Sequence, residues 1–455
     1  MVEFPVKIYM TNLAKKAREA ARPLSLLAST TKTLALHAMA DRLLAEEESI
    51  LAANLDDVES VGKKLEGETN KDTVKEAVER VRLTADDLRE MAGRLREIAE
   101  LPDPVGEITQ QWHRPNGMEV RRVRVPLGVI GIISDLGPKP TTEAVALCLK
   151  SGNVSVVRGN PDWVKSNPLI GTILREAAES SGVPPDAVNF IERTEKEMAL
   201  ELLRQTKYLD AIIPRGGAGL RKTVMEQTKL PILCHDAGLS YVYVDAGADL
   251  PLAQNIVVNS KAQQPSAANA ADTLLVHQAI SRPLLGALVR RLLDEFKVDI
   301  LGCPKTLALT GSLAFTGYKN AKEATEGDWE KQFLSRTLAV KVVKDLDEAL
   351  AHIGRYGPVH TAAIVTNDYQ STMRFTREVD AGAVLVNAST RMHDGNEFGL
   401  GGEVGTNTLR VHARGPVSLE ALTCQKYVVL GGGQLRQPHP VPVAYEDAIM
   451  LKRPS

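Results

Sequence analysis

The chain has 455 residues, more than one hydrophobic core usually organises, so two or three domains are expected. Hydrophobic residues make up 44% and charged residues 25%, a globular balance, and the formal net charge of −2 gives no electrostatic ground for a nucleic-acid partner or an anionic membrane surface. Aromatic residues are only 4%, which leaves little for base stacking, and no apolar run approaches the roughly 20 residues of a membrane-spanning helix.

The first hundred residues read as helices. After a cap at Ser29-Thr30-Thr31, apolar residues recur at Leu36, Met39, Leu43, Leu44, Ile50 and Leu51. A second pattern opens at Thr84-Ala85-Asp86-Asp87, places Leu88, Met91, Leu95 and Ile98 on one face, and stops before Pro102 and Pro104. The texture changes at Val120. The run from Val120 to Ile133 alternates and then turns continuously apolar, as a buried parallel strand does.

From there strands and helices alternate. A helix is expected over Thr142 to Ser151, a strand over Val154 to Val157, a helix over Pro168 to Ser181 and a strand over Ala187 to Ile191. A helix over Lys196 to Gln205 and strands at Ala211 to Ile213, Pro231 to Cys234 and Tyr241 to Asp245 follow, which makes a doubly wound parallel sheet ending near residue 245. A second series begins with helix Pro251 to Lys261. It continues with strand Asp272 to Val276, helix Arg282 to Glu295, and strands at Ala339 to Val343, Ala362 to Val365 and Ala383 to Val386. The stretch Gly302 to Gly327 is weakly patterned and reads as loop, and the proline-rich tail from Gln437 as extended chain.

Three segments invite a chemical reading. Arg215-Gly216-Gly217-Ala218-Gly219 lies between a strand and a helix, where backbone N–H groups can approach a phosphate, though a plain strand-to-helix turn fits as well. Glu397-Phe398-Gly399-Leu400-Gly401-Gly402-Glu403 suits either a loop held against a ligand or a surface turn. His412 stands between Arg410 and Arg414, as an anion site or a solvated charge cluster would have it. The cysteines, Cys148, Cys234, Cys303 and Cys424, show no CxxC pairing. No disulfide frame and no metal site are expected, and the cytoplasm is the default compartment. The N-terminus lacks the order of a secretory signal.

Several segments together resemble the γ-glutamyl phosphate reductases (glutamate-5-semialdehyde dehydrogenases) of the aldehyde dehydrogenase superfamily. They are Pro126 to Ile133, Leu147 to Asn153, Ile213 to Leu220, Val386 to Arg391, Glu397 to Gly401 and His412 to Pro416, and the resemblance runs from about residue 10 to about residue 436. It implies an aldehyde-dehydrogenase-like α/β fold with two doubly wound parallel-sheet domains and a small oligomerisation arm. The expected division is an N-terminal helical and NADP-binding domain over 1–245 and a catalytic-type domain over 246–400. Residues 401–436 return to the cofactor domain and the arm, and 437–455 form a tail. It further implies NADP as cofactor, held by Arg215, Gly216, Gly217, Gly219, Glu397, Phe398 and Gly399. Asn387, Arg391 and His412 would bind substrate, Asn269 would stand beside the nucleophile, and the chain would form a homo-oligomer. The implied reaction is NADPH-dependent reduction of γ-glutamyl phosphate in proline biosynthesis, through a thioester on a cysteine.

The sequence departs from that pattern around the chemistry. Where the family carries its cysteine this chain has Ala268, in the run Ala262-Gln263-Gln264-Pro265-Ser266-Ala267-Ala268-Asn269, and the family's preceding arginine is Gln264. An arginine and an asparagine of the family correspond to Gly137 and Lys139, an acidic residue to Cys234 and a glutamate to Gln332. Three expectations follow. The chain has lost the reductase chemistry and serves as a scaffold or regulatory subunit with a protein partner. Or the same cleft runs other chemistry, possibly through Cys234 with His235 as base. Or the reductase remains active by another route.

Overall fold

In the computed structural model, residues 5–66, 71–193, 195–233, 238–314 and 320–435 are described. Five helices open the chain: α1 (Val6–Ser25), α2 (Ser29–Ala45), α3 (Glu47–Lys64), α4 (Lys71–Val81) and α5 (Ala85–Glu100). Thr84 caps α5 as expected, in a reciprocal box with Asp87. Ser29 instead is the first helical residue of α2, whose N-cap Ala28 has only a methyl group and makes no side-chain cap. Buried polar groups fix the bundle to the rest. Asp57 on α3 accepts from the backbone N–H groups of Lys165 and Ser166, at 2.8 and 2.9 Å, and from the Ser166 hydroxyl. Lys32 on α2 meets Asp103 at 2.5 Å with both side chains buried.

After β1 (Ile108–His113), the run expected as one strand from Val120 is two, β2 (Glu119–Pro126) and β3 (Val129–Ser134). The break is Pro126-Leu127-Gly128. Gly128 has φ +126, and a side chain there would collide with the Asp210 carboxylate that accepts from Val129 N at 2.8 Å. After β3 come α6 (Pro138–Lys150), β4 (Val154–Arg158), α7 (Ser166–Ser180), β5 (Val188–Phe190), α8 (Lys196–Leu203), β6 (Ala211–Arg215) and α9 (Ala218–Gln227). The strands form a four-stranded parallel sheet, β5-β4-β3-β6. Its apolar faces and the inward sides of α1, α2 and α5 make one core.

Strand β7 (Leu239–Val244) does not continue that sheet. With α10 (Leu250–Ala262), β8 (Thr273–His277), α11 (Gln278–Asp294) and β9 (Asp299–Gly302) it opens a second. The first sheet, expected to run to residue 245, therefore ends before Leu239, and the strand expected at Pro231 to Cys234 is, over its described residues, one bridge, Ile212 with Ile232. Periodicity could not show this, because a buried strand reads alike in either sheet. The segment expected as loop holds α12 (Pro304–Ala314) and β10 (Ala321–Glu323). The chain proceeds through β11 (Thr337–Val343), α13 (Leu346–Arg355), β12 (Val359–Val365), α14 (Tyr369–Glu378) and β13 (Ala381–Val386). The seven-stranded sheet has the order β10-β9-β11-β8-β7-β12-β13, with an apolar core on each face. A short pair, β14 (Thr406–Asn407) with β15 (Gly415–Pro416), precedes β16 (Thr423–Leu430). Strand β16 joins β2 and β1 in a separate antiparallel sheet with Trp112, Tyr427, Val429 and Leu430 exposed. No helix among the described residues is long and apolar enough to cross a membrane.

Candidate active-site cleft

The two parallel sheets meet at a cavity of about 260 Å³ lined by residues of both, with Leu136, Pro214, Arg215, Gly216 and Arg221 on one side and Ala268 and His360 on the other. Glu403 to Thr406 close it. Ala268 is exposed, on the loop between α10 and β8. Its carbonyl accepts from the Ser240 hydroxyl at 3.1 Å and from Gln332 Nε2 at 3.4 Å, and Gln332 also reaches Gly238 O at 3.3 Å. The loop is braced from behind by Arg391. Its Nε donates to Gln263 Oε1 at 2.7 Å, one terminal nitrogen to Gln264 Oε1 at 2.9 Å, and the other to Asn269 Oδ1. Asn269 Nδ2 in turn donates to His393 O at 2.9 Å. Three side-chain amides thus engage the guanidinium expected to meet substrate.

Arg215, at the end of β6, reaches Glu403 O at 3.4 Å, while its Nε is buried without a hydrogen-bond partner. Gly217 is the N-cap of α9, and no side chain caps that helix, so its first N–H groups point outward beside Gly216. Gly219 lies inside the first turn. Glu403 lies near two acids, Asp394 and Glu143, and near Arg215. Burial, then the charge of Asp394, raises its carboxyl to about 7, against the pull of Arg215 and of the Thr406 hydroxyl 3.3 Å away. Glu143 is also raised, by burial first, against Arg94 and Arg215. Below the loop Lys261 is fully buried with no hydrogen-bond partner, lowered to about 8 by burial, and burial likewise raises Asp272 to about 6.

Other expected site residues lie elsewhere. Asn387, with φ +53, exchanges hydrogen bonds with the Thr366 backbone at 2.9 Å, a strand-end clamp. His412 lies near Ala421 O at 3.3 Å and lines a different cavity, beside β2 and β16. Its neighbours Arg410 and Arg414 both pair with Asp380. Phe398 stacks on His393, and Gly399 turns the chain at φ +74. Glu397 faces Arg391 only through its charge. Cys234 and His235 lie outside the described residues, and none of Cys148, Cys303 and Cys424 lines the Ala268 cavity. No group of three or more metal-ligating side chains occurs among the described residues. The sequence reading missed His360, Arg221 and Thr406 in the cavity. His360 had no signal, because a single histidine in an apolar strand has no motif around it.

Two parallel sheets sharing a cleft, with an antiparallel arm returning from the C-terminal segment, define the aldehyde dehydrogenase class. The profile described as "Aldehyde dehydrogenase family" matches residues 9–300. Within that class the chain belongs to the gamma-glutamyl phosphate reductases. It is 46% identical to the gamma-glutamyl phosphate reductase of Moorella thermoacetica, over 95% of this chain and all of that protein. It is 44% identical to that of Heliobacterium modesticaldum, over 93% of this chain and 97% of the relative. The crystal structure of the Thermotoga maritima gamma-glutamyl phosphate reductase superposes with a TM-score of 0.86 at 39% identity, covering 94% of this chain and all of that one. An acetylating aldehyde dehydrogenase from Geobacillus thermoglucosidasius, at 17% identity and a TM-score of 0.66, shares the fold over 95% of this chain and 98% of its own.

Proposed function

We propose that this chain keeps the ligand cleft of its family but has lost the thioester chemistry of the reductase, and acts as a scaffold or regulatory subunit. The observation that carries the reading is Ala268 on the cavity surface with no described cysteine beside it. In the route the family implies, a thiolate displaces phosphate from the acyl phosphate and the resulting enzyme-held thioester accepts hydride. A methyl group cannot form that bond.

Two further departures from the family pattern support the same reading. Lys139 stands where the family resemblance implies an asparagine, and its ammonium is drawn to α5 by Asp87 at 2.7 Å and Glu90 at 2.8 Å, outside the Ala268 cavity. Gln332, in place of an implied glutamate, is bonded to backbone carbonyls. NADPH supplies hydride when bound in this family. The uncapped start of α9 at Gly216 and Gly217 fits a dinucleotide phosphate, with Arg215 beside it. The exposed apolar side chains of the β1-β2-β16 sheet suit a homo-oligomer contact.

The test is NADPH binding by calorimetry, run beside a reverse assay with glutamate-5-semialdehyde, NADP and phosphate. Binding without turnover is expected. Ala268→Cys should yield a thiol open to alkylation and, with Lys139 still held by α5, little reductase activity. Turnover by the unaltered chain well above background would sink the proposal, and its loss in Cys234→Ser would point to a relocated nucleophile.

A further inference from the structure

His360 sits on a bulge. Along β7, Leu239 pairs with Val359 and Ser240 with Thr361, so β12 spends one extra residue there, while its register with β13 is unbroken from Val359–Ala381 to Thr361–Ala383. A bulge re-aims a side chain, and it recurs beside active sites. Two glycines make room for it. A Cβ on Gly238 would collide with His360 N and lie 2.8 Å from Pro358 O, and one on Gly382 would lie 2.9 Å from His360 O.

The bulge brings two histidines to one hydroxyl. Thr361 Oγ1 is 2.6 Å from His360 Nδ1 and 2.7 Å from His393 Nδ1, with the rings 4.5 Å apart. Each Nε2 is buried without a hydrogen-bond partner. Burial, reinforced by the neighbouring ring, pushes His360 down to about 3, and burial pushes His393 down to about 4, so both rings are neutral at pH 7. A hydroxyl has one proton. Thr361 donates to one ring and must accept from the other.

In either arrangement one ring carries its proton on a buried Nε2 with no acceptor in the protein, and the other Nε2 is a bare lone pair. Donation to His360 puts that N–H on the ring that lines the cavity, where a ligand can supply the acceptor, and leaves the bare lone pair, the cheaper defect, on His393. His360 then carries its proton on Nε2. Its Nδ1 is taken by Thr361, so the Nε2 edge is the one left for the cavity, which His360 lines with Ala268, Arg215 and Arg221.

We propose that His360 Nε2–H is the hydrogen-bond donor to the γ-acyl oxygen of a glutamyl group bound in the Ala268 cavity, with Thr361 and His393 as positioning residues that hold this tautomer. The proposal rests on the reading above that the cleft still takes a γ-glutamyl ligand. A neutral imidazole offered as a donor polarises a carbonyl without drawing a proton from solvent.

The experiment uses the full chain with 15N-labelled histidine rings, the nine histidines being reduced to His360 by comparison with His360→Gln. L-Glutamine, which carries a γ-acyl oxygen and is stable, is the probe, with calorimetry on the same samples. His360 should show the Nε2–H tautomer, and saturation with L-glutamine should move that resonance. Thr361→Val should scramble the tautomer. His360→Ala should weaken glutamine binding about tenfold, and His360→Gln, which keeps an N–H donor, should recover part of it. An Nδ1–H tautomer overturns the proposal, as does a silent His360 with glutamine bound. Absence of any binding in calorimetry removes the retained-cleft reading and the proposal together, so the two failures are told apart.

Discussion

Glu403 offers a test in which the sign of an effect reverses with pH. The carboxyl is raised from 4.5 to about 7, first by burial and then by Asp394. A carboxylate raised in the folded state is held protonated there while the unfolded chain ionises. The folded state thus binds more protons, and stability falls as pH rises from about 4.5 to about 7, with the full loss present above that. The shift corresponds to about 3 kcal/mol, and because Glu403 is only partly sealed from solvent we expect about 2 kcal/mol at pH 8.5. Glu403→Gln removes the charge but leaves one oxygen where Thr406 and Gly395 N now use two, at 3.3 and 3.2 Å, a loss of about 1 kcal/mol. The variant should therefore be less stable than the parent at pH 5 and more stable by about 1 kcal/mol at pH 8.5. Paired urea unfolding curves at each pH read the difference directly, since groups common to both proteins cancel. A difference that stays constant from pH 5 to pH 8.5 would refute the burial of Glu403 beside Asp394.

Two further substitutions probe the scaffold. Gly238→Ala forces a methyl group against the backbone of Pro358 to His360, which cannot swing aside as a flexible side chain can. Overpacking of this kind should cost about 1–3 kcal/mol in urea unfolding and should shift the His360 ring resonances. A variant as stable as the parent with those resonances unchanged would mean that the bulge is not clamped there. Asp57→Ala strips the acceptor from the Lys165 and Ser166 amides and from the Ser166 hydroxyl. A loss of about 2–4 kcal/mol is expected, with α3 loosened from α7 and faster amide exchange at the start of α7. A loss under about 0.5 kcal/mol would show that water replaces the carboxylate.

The sequence was most legible where a local rule acts alone. Thr84 and Asp87 announce the start of α5 because a capping box needs nothing beyond four residues. The alternation of strands and helices gave the layers. Legibility failed where the answer depends on partners distant in the chain. Tyr241 to Asp245 looks the same in either sheet, and only pairing with Thr273 to Val276 and Thr361 to Val365 assigns it to the second. Pro304 to Ala314 is helical although Gly302, Thr306, Thr310 and Gly311 blur its apolar face. There Thr306 and Thr310 bond to Val340 O and Thr306 O instead of competing with the helix. At the cleft, motif resemblance singled out Arg215 and Ala268, and the structure brings the two to one cavity. The resemblance gave no sign that Arg391 is engaged by three amides or that His360 lines the same cavity.

The hydrogen bonds around the cleft show which groups the protein has already claimed. A buried polar atom without a partner is costly, and a ligand is one way to complete its bond. Beside Ala268, Gln332 is held by two carbonyls, and Gln263, Gln264 and Asn269 by Arg391, while Lys261 Nζ beneath the loop has no hydrogen-bond partner. Lys139, on α6, is held by Asp87 and Glu90. Arg215 Nε and His360 Nε2, in residues that line the cavity, have no partners either, and the start of α9 has no cap. Three positions where this chain departs from the family pattern, Lys139, Gln264 and Gln332, are thus wired into the scaffold, while Arg215 and His360 stay available. A cleft with the first group committed and the second free should bind without turning over, so Ala268→Cys alone should not restore the reductase. Replacing Lys139 and Gln332 together with Ala268 is the change that would free the committed positions.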